Sequence, residues 1–296
     1  MIRSHTLALA LLATSCALPV SAPPAQAPPT LVELVDDGDR GPARPSSCPA
    51  SVPFVATVRA QVVDPEGAGV ADARVQLCVW THEQRMLCLE PGRAGADGMV
   101  SIEVAGPAQC METVTARVLL PSSTRPSVYC DLSPSLEDAS FTIAVPFVLL
   151  DAGTAIIPPE GAVDEVRTVD LAGGVSLEVT PSALRGDAYD RLAGAAFAVS
   201  DAPACMLAGA PSFRVLMGTS PEADIVAMSF PFSLPAPEGV VVGDALTVFV
   251  LGGLECKADD GTFFEKGHWH EVGEAVVDDD GLARGTTPCL GWIGLR

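Results

Sequence analysis

Val58-Arg-Ala-Gln-Val-Val-Asp-Pro-Glu-Gly-Ala-Gly-Val-Ala-Asp-Ala-Arg-Val-Gln-Leu77 is the stretch whose reading decides the fold. Two β-rich runs flank Asp64-Pro-Glu-Gly-Ala-Gly69, which carries turn chemistry throughout. Working outward, residues 54–63 and 73–80 read as strands, followed by 86–90, then 99–104 after the turn Ala96-Asp-Gly98, then 113–120 and 141–150. About seven short strands at this spacing predict a β-sandwich over residues 53–150. Residues 175–184 alternate and then break at Pro181, and 230–235, 245–251, 268–272 and 275–278 follow as strand candidates. They predict a second β-sandwich over 151–296.

Composition points the same way. A length of 296 residues gives a prior of about two domains. Hydrophobic residues make up 48% of the chain, enough for buried cores, while 27 glycines and 26 prolines favour turns and short strands over long helices. The expected fold class is therefore all-β, with two β-sandwich domains after a signal peptide and a Pro/Ala-rich linker.

The opening stretch resembles the first strands of the carboxypeptidase regulatory-like, transthyretin-type sandwich. In that family a first strand ends in Asp and a Gly turn, and a small residue precedes the second strand. Asp97-Gly98 followed by Met99-Val-Ser-Ile-Glu-Val104 resembles a later strand of the same family. The resemblance implies a spacer or adhesive module and brings no catalytic residues. The C-terminal half is similar to a ZU5-type β domain: a strand ending in Pro181-Ser-Ala-Leu184, the segment Phe230-Pro-Phe232, and a Trp-bearing strand near the end. That resemblance implies a scaffolding or surface protein. Some such domains cleave themselves at a His-Phe-Ser-like site; here Thr287-Pro-Cys-Leu-Gly-Trp292 stands in that place, so autoproteolysis is not expected.

The N-terminus has the grammar of export. Arg3 precedes a short apolar run ending in Ala13-Thr14-Ser15-Cys16, too short to span a bilayer. It resembles a bacterial lipobox, in which the cysteine is acylated and becomes the new N-terminus, so residues 1–15 are expected to be a signal peptide and Cys16 the lipid attachment site. The alternative is an ordinary secretory signal cut later, after Ala22 or Ala27. Residues 16–52 are rich in proline and are expected to form an extended tether.

Without Cys16, eight cysteines remain: Cys48, Cys78, Cys88, Cys110, Cys130, Cys205, Cys256 and Cys289. An even number in an exported chain predicts up to four disulfides. Cys78 and Cys88 flank a hairpin and are expected to face each other, and Cys110 and Cys130 bracket one strand and could staple its return. If the rest pair, one bond could join the linker region to the second domain. No two cysteines lie closer than the ten positions between Cys78 and Cys88, which argues against a zinc site.

Known chemistries find few residues to use. Net charge is −20, with 37 acidic against 17 basic residues, so nucleic acid and anionic headgroups would be repelled. There is no Gly-x-Ser-x-Gly and no Gly-rich phosphate loop. His268 and His270, two apart on a predicted strand, share a face and are the candidate metal ligands, with His82 a third only if the domains pack together. The acidic turns Asp36-Asp-Gly-Asp39, Asp259-Asp-Gly261 and Asp278-Asp-Asp-Gly281 are candidates for a weak calcium site, and equally ordinary turn chemistry.

The expected function is a non-enzymatic exported lipoprotein, a structural, adhesive or display module of the bacterial cell envelope. Its expected place is the outer membrane or cell surface, with the periplasm as the alternative. Its partners would be the membrane through an N-terminal lipid, and an envelope protein or polysaccharide. Two other readings stand beside it. One is a carbohydrate- or matrix-binding module using exposed tryptophan, of which the chain has Trp80, Trp269 and Trp292. The other is a metal-dependent enzyme using His268 and His270.

Overall fold

The computed structural model describes residues 34–36, 43–132, 140–157, 162–222, 229–254, 256–258 and 260–296. Within them the protein is all-β: nineteen strands, and four 3-10 turns of which the longest have four residues.

The N-terminal half contains β1 (Leu34–Asp36), β2 (Thr57–Val63), β3 (Arg74–Thr81), β4 (Met86–Cys88), β5 (Gly92–Arg93), β6 (Met99–Glu103), β7 (Met111–Leu119), β8 (Val128–Leu132), β9 (Ser140–Ile143) and β10 (Phe147–Val148). They form two five-stranded sheets. One runs β1-β9-β2-β10 with β6 on β2, the other β4-β3-β7-β8 with β5 on β3. Alternation puts Val58, Ala60 and Val62 of β2 and Val100 and Ile102 of β6 into the core. Val75, Leu77 and Val79 of β3, and Val114, Ala116 and Val118 of β7, belong to the same core. Each valine, leucine or isoleucine among them contributes about 1.5–3 kcal/mol relative to exposure.

Glycine is required twice in the turns that the sequence singles out. Gly98 has φ 75°, and a Cβ there would run into the Val62 carbonyl oxygen. A Cβ on Gly69 would run into the backbone of Asp97. The single strand expected over 141–150 is split into β9 and β10 just before Pro146–Phe147, where proline supplies no N–H to a ladder.

The 16–52 segment is not wholly a free tether. β1 pairs antiparallel with β9, Leu34 opposite Ile143. Further on, Arg44 Nη1 donates to the Pro49 and Val52 carbonyls, each at 2.7 Å. Cys48 is buried against Phe54 and Cys110.

The C-terminal half contains β11 (Arg167–Asp170), β12 (Ser176–Val179), β13 (Ala193–Phe197), β14 (Val215–Ser220), β15 (Phe230–Pro235), β16 (Ala245–Leu251), β17 (Trp269–Val277), β18 (Leu282–Thr287) and β19 (Trp292–Leu295). They make one nine-stranded sheet in the order β11-β12-β15-β18-β17-β16-β19-β14-β13. Its two ends meet: Ala172, just past β11, bridges Ala195 of β13, and its N–H donates to the Gly194 carbonyl at 2.9 Å. The sandwich-like arrangement of this half is thus a single sheet folded over on itself around Leu177, Met217, Phe232, Val248, Val250 and Ile293.

Three strands bury both faces. On β14, β16 and β19, Met217, Val248 and Ile293 point into the C-terminal core. Their neighbours Leu216, Phe249 and Trp292 enter the N-terminal core instead. The two halves therefore share apolar packing rather than merely touching.

Candidate functional site

On β3 the residues between the core positions point to the other face of the sheet. Trp80 lies opposite Met86 of β4 and Thr113 of β7, and Thr115 of β7 lies opposite Asp131 of β8. Leu254 and residues 263–268 of the C-terminal half run beside this face, leaving a groove of about 680 Å³. Its walls expose large apolar groups, with Trp80 at 42%, Met86 at 48% and Phe263 at 56%. Lys257 Nζ lies 4.3 Å from the Phe263 ring centre.

Polar groups line the same groove. His268 Nε2 is 3.0 Å from Asp131 Oδ2 and 3.5 Å from Glu265 Oε1. Thr115 Oγ1 donates to the other Asp131 oxygen at 2.9 Å. Burial raises the Asp131 carboxyl above the ordinary value of 3.8, with the charge of His268 acting in the opposite direction.

Beside the groove, a buried charged cluster pins the halves together. Glu222 has a side chain only 6% exposed. Its carboxylate receives Arg117 Nη2 at 2.8 Å, the Leu254 N–H at 2.6 Å and the Tyr129 hydroxyl. Burial, and then the Glu222 charge, push the Tyr129 hydroxyl well above its usual range. Burial acts against the Arg117 charge, but Glu222 beside it outweighs this and the guanidinium is held more firmly protonated than usual. The cluster is satisfied within the protein and reads as a joint.

A second, wider concavity of about 1180 Å³ is lined by Pro146, Phe197 and Pro203 together with Arg125 and Asp151. There Arg125 donates to the Leu149 carbonyl, and Asp151 accepts from Thr124 and Gly153. With those two charged groups engaged internally, the Trp80 groove is the stronger candidate.

The eight cysteines after Cys16 pair off at disulfide distance. Cys78 and Cys88 sit opposite each other across the β3–β4 hairpin, with Cα atoms 4.0 Å apart. Cys110 does not pair with Cys130. Cys130 lies opposite Ala116, six residues along β7 from Cys110, which places them about 20 Å apart. Instead Cys48 pairs with Cys110, Cys130 with Cys205 and Cys256 with Cys289, at Cα separations of 5.5, 5.1 and 5.2 Å. The bond between the halves thus comes from β8, and the linker-region cysteine stays with the N-terminal half. Four such pairs point to an oxidising, extracytoplasmic environment.

His268 and His270 both approach Glu265, one at its carboxylate and the other at its backbone oxygen, but their rings do not converge. His268 faces Asp131 and Glu265, whereas the His270 ring stacks on Phe264 with centres 4.7 Å apart. His82 sits after β3, and its Nδ1 is buried without a hydrogen bond. Among the described residues no group of three or more His, Cys, Asp or Glu gathers as a metal site. In the acidic turns, Asp278 accepts from the N–H groups of Asp280 and Leu282 and pairs with Arg284, while Asp260 accepts from the N–H of Thr262. Asp37, Asp39, Asp259, Cys16 and residues 1–33 lie outside the described residues. Among those described, no helix is long and apolar enough to cross a membrane.

Asp131, Met86, Phe263 and Glu222 escaped the sequence reading. One signal was present: Trp80 follows Val75, Leu77 and Val79 out of step, so an indole on the face away from the core was legible. That Asp131 and His268 meet was not, because they are 137 positions apart, one on β8 and the other just before β17.

Compared with known proteins, the chain matches no family model and no curated protein.

Proposed function

We propose that this chain is an exported bacterial lipoprotein, held on a membrane through Cys16, whose β body acts non-enzymatically as a structural, adhesive or display module of the cell envelope. Its place would be the outer membrane or cell surface, with the periplasm as the alternative. The observation that carries the reading is the pairing of cysteines. All eight after Cys16 have partners at disulfide distance, which leaves Cys16, next to the export signal, as the ninth. The N-terminal sheets, with glycine needed at both signature turns, support the regulatory-like resemblance of that half. The faint ZU5 likeness is kept for the C-terminal half. A net charge of −20 supports partners other than nucleic acid.

Labelling the native host with a clickable palmitate analogue tests this. The wild-type protein should carry label in the membrane fraction, and Cys16→Ser should lose the label and appear in the soluble fraction. An unlabelled wild-type protein would overturn the tether.

A second reading, a carbohydrate- or matrix-binding module, is favoured by one observation: Trp80 stands 42% exposed in the wall of the groove.

A further inference from the structure

The three tryptophans of this chain are treated differently by the fold. Trp292 is 2% exposed and donates its indole N–H to the Ser127 carbonyl at 2.8 Å. Trp269 packs on Phe213, with ring centres 4.5 Å apart, and donates to the Met206 carbonyl at 2.8 Å. Both serve the joint between the halves. Trp80 does neither: its indole N–H has no hydrogen-bond partner among the described residues, and its ring lines a groove whose volume falls within the roughly 300–1,000 Å³ usual for ligand sites.

We propose that this groove binds a neutral saccharide, stacked on Trp80 and hydrogen-bonded by Asp131, Glu265 and His268. The inference deepens the binding-module reading and rests on it, but not on the tether. A pyranose has an apolar C–H face and a rim of hydroxyls that both donate and accept. The groove offers the complement: an open indole beside Met86, with Phe263 across from them, and a rim of carboxylate and imidazole. Thr115 and His268 fix the orientation of the Asp131 carboxylate, and Glu265, 67% exposed, faces solvent within reach of the same His268. Asp131 and Glu265 stand beside Lys266 in the groove, and the whole chain carries −20, a balance that favours a neutral ligand over a polyanion. A peptide adding a strand to the sheet would find only short edges, three residues in β4 and five in β8.

The test is a titration of the mature, disulfide-intact chain with cellohexaose, hexa-N-acetylchitohexaose and polygalacturonate, followed by calorimetry and tryptophan fluorescence. At least one neutral probe should bind with a submillimolar Kd, and polygalacturonate should not. Trp80→Ala should weaken binding about tenfold or more with the thermal midpoint unchanged, and Trp80→Phe should recover part of it. Absence of binding by both neutral probes at millimolar concentration would overturn the proposal, as would equal binding by Trp80→Ala. Binding of polygalacturonate alone would overturn the neutral class while leaving a binding module. The Cys16→Ser chain should bind as the wild type does, so a failed tether and a failed groove give different results.

Discussion

Asp131 is a carboxylate held in a place that disfavours its charge. Burial raises its folded pKa above the ordinary 3.8, so the fold binds its proton more tightly than the unfolded chain does. Its contribution to stability is therefore complete below the unfolded value and declines as pH rises through the folded one. Asp131→Asn, which keeps an acceptor for Thr115, should remove that decline. As pH rises above the ordinary carboxylate value of 3.8, the urea unfolding midpoint of the wild type should drop relative to that of the variant. Parallel curves would contradict the assignment. Gly98 makes a sharper demand. With φ 75° and the Val62 carbonyl where a Cβ would go, Gly98→Ala should cost at least about 1–2 kcal/mol in chemical denaturation. A neutral result would mean that the turn is not as described. Gly98 was legible as a turn residue from Asp97-Gly98 alone, but its contact with β2 was not, because the partner lies 36 positions away.

At the scale of elements, the joint between the halves depends on Glu222. Removing its charge leaves Arg117 buried without its partner, so Glu222→Gln should destabilise by about 3–5 kcal/mol. Equilibrium unfolding with disulfides intact measures it, and a change below about 1 kcal/mol would show that the cluster is not desolvated. The strand candidates 230–235 and 245–251 match β15 and β16 residue for residue, because each is a short apolar, β-favouring run bounded by turn residues, even though β16 buries both faces. β14 and β19 also bury both faces and show no period of two, and unlike β16 each run is interrupted by glycine, at Gly218 and Gly294, so Val215-Leu-Met-Gly-Thr-Ser220 and Trp292-Ile-Gly-Leu295 were missed. β5 and β10, two residues each, are too short to show any period. The groove was half legible, since Trp80 could be placed on the outer face of β3, whereas the wall from Leu254 and residues 263–268 depends on how the halves pack.

For the whole molecule, shared packing and the Cys130–Cys205 link predict coupled unfolding. Because Leu216, Phe249 and Trp292 sit in the same apolar cluster as β2 and β3, calorimetry should show one transition, and two separated transitions would contradict the shared core. Replacing both Cys130 and Cys205 by alanine opens a loop with a sequence separation of 75 and should cost about 4 kcal/mol, read as a lower midpoint. The account as a whole stands on export, oxidation and tethering acting together. The most direct measurement is the intact mass of the protein from its native host, alkylated before and after reduction. A chain beginning at acylated Cys16, with no alkylated thiol before reduction and eight after it, is the predicted result. A chain cut later, without lipid and with free thiols before reduction, would contradict it.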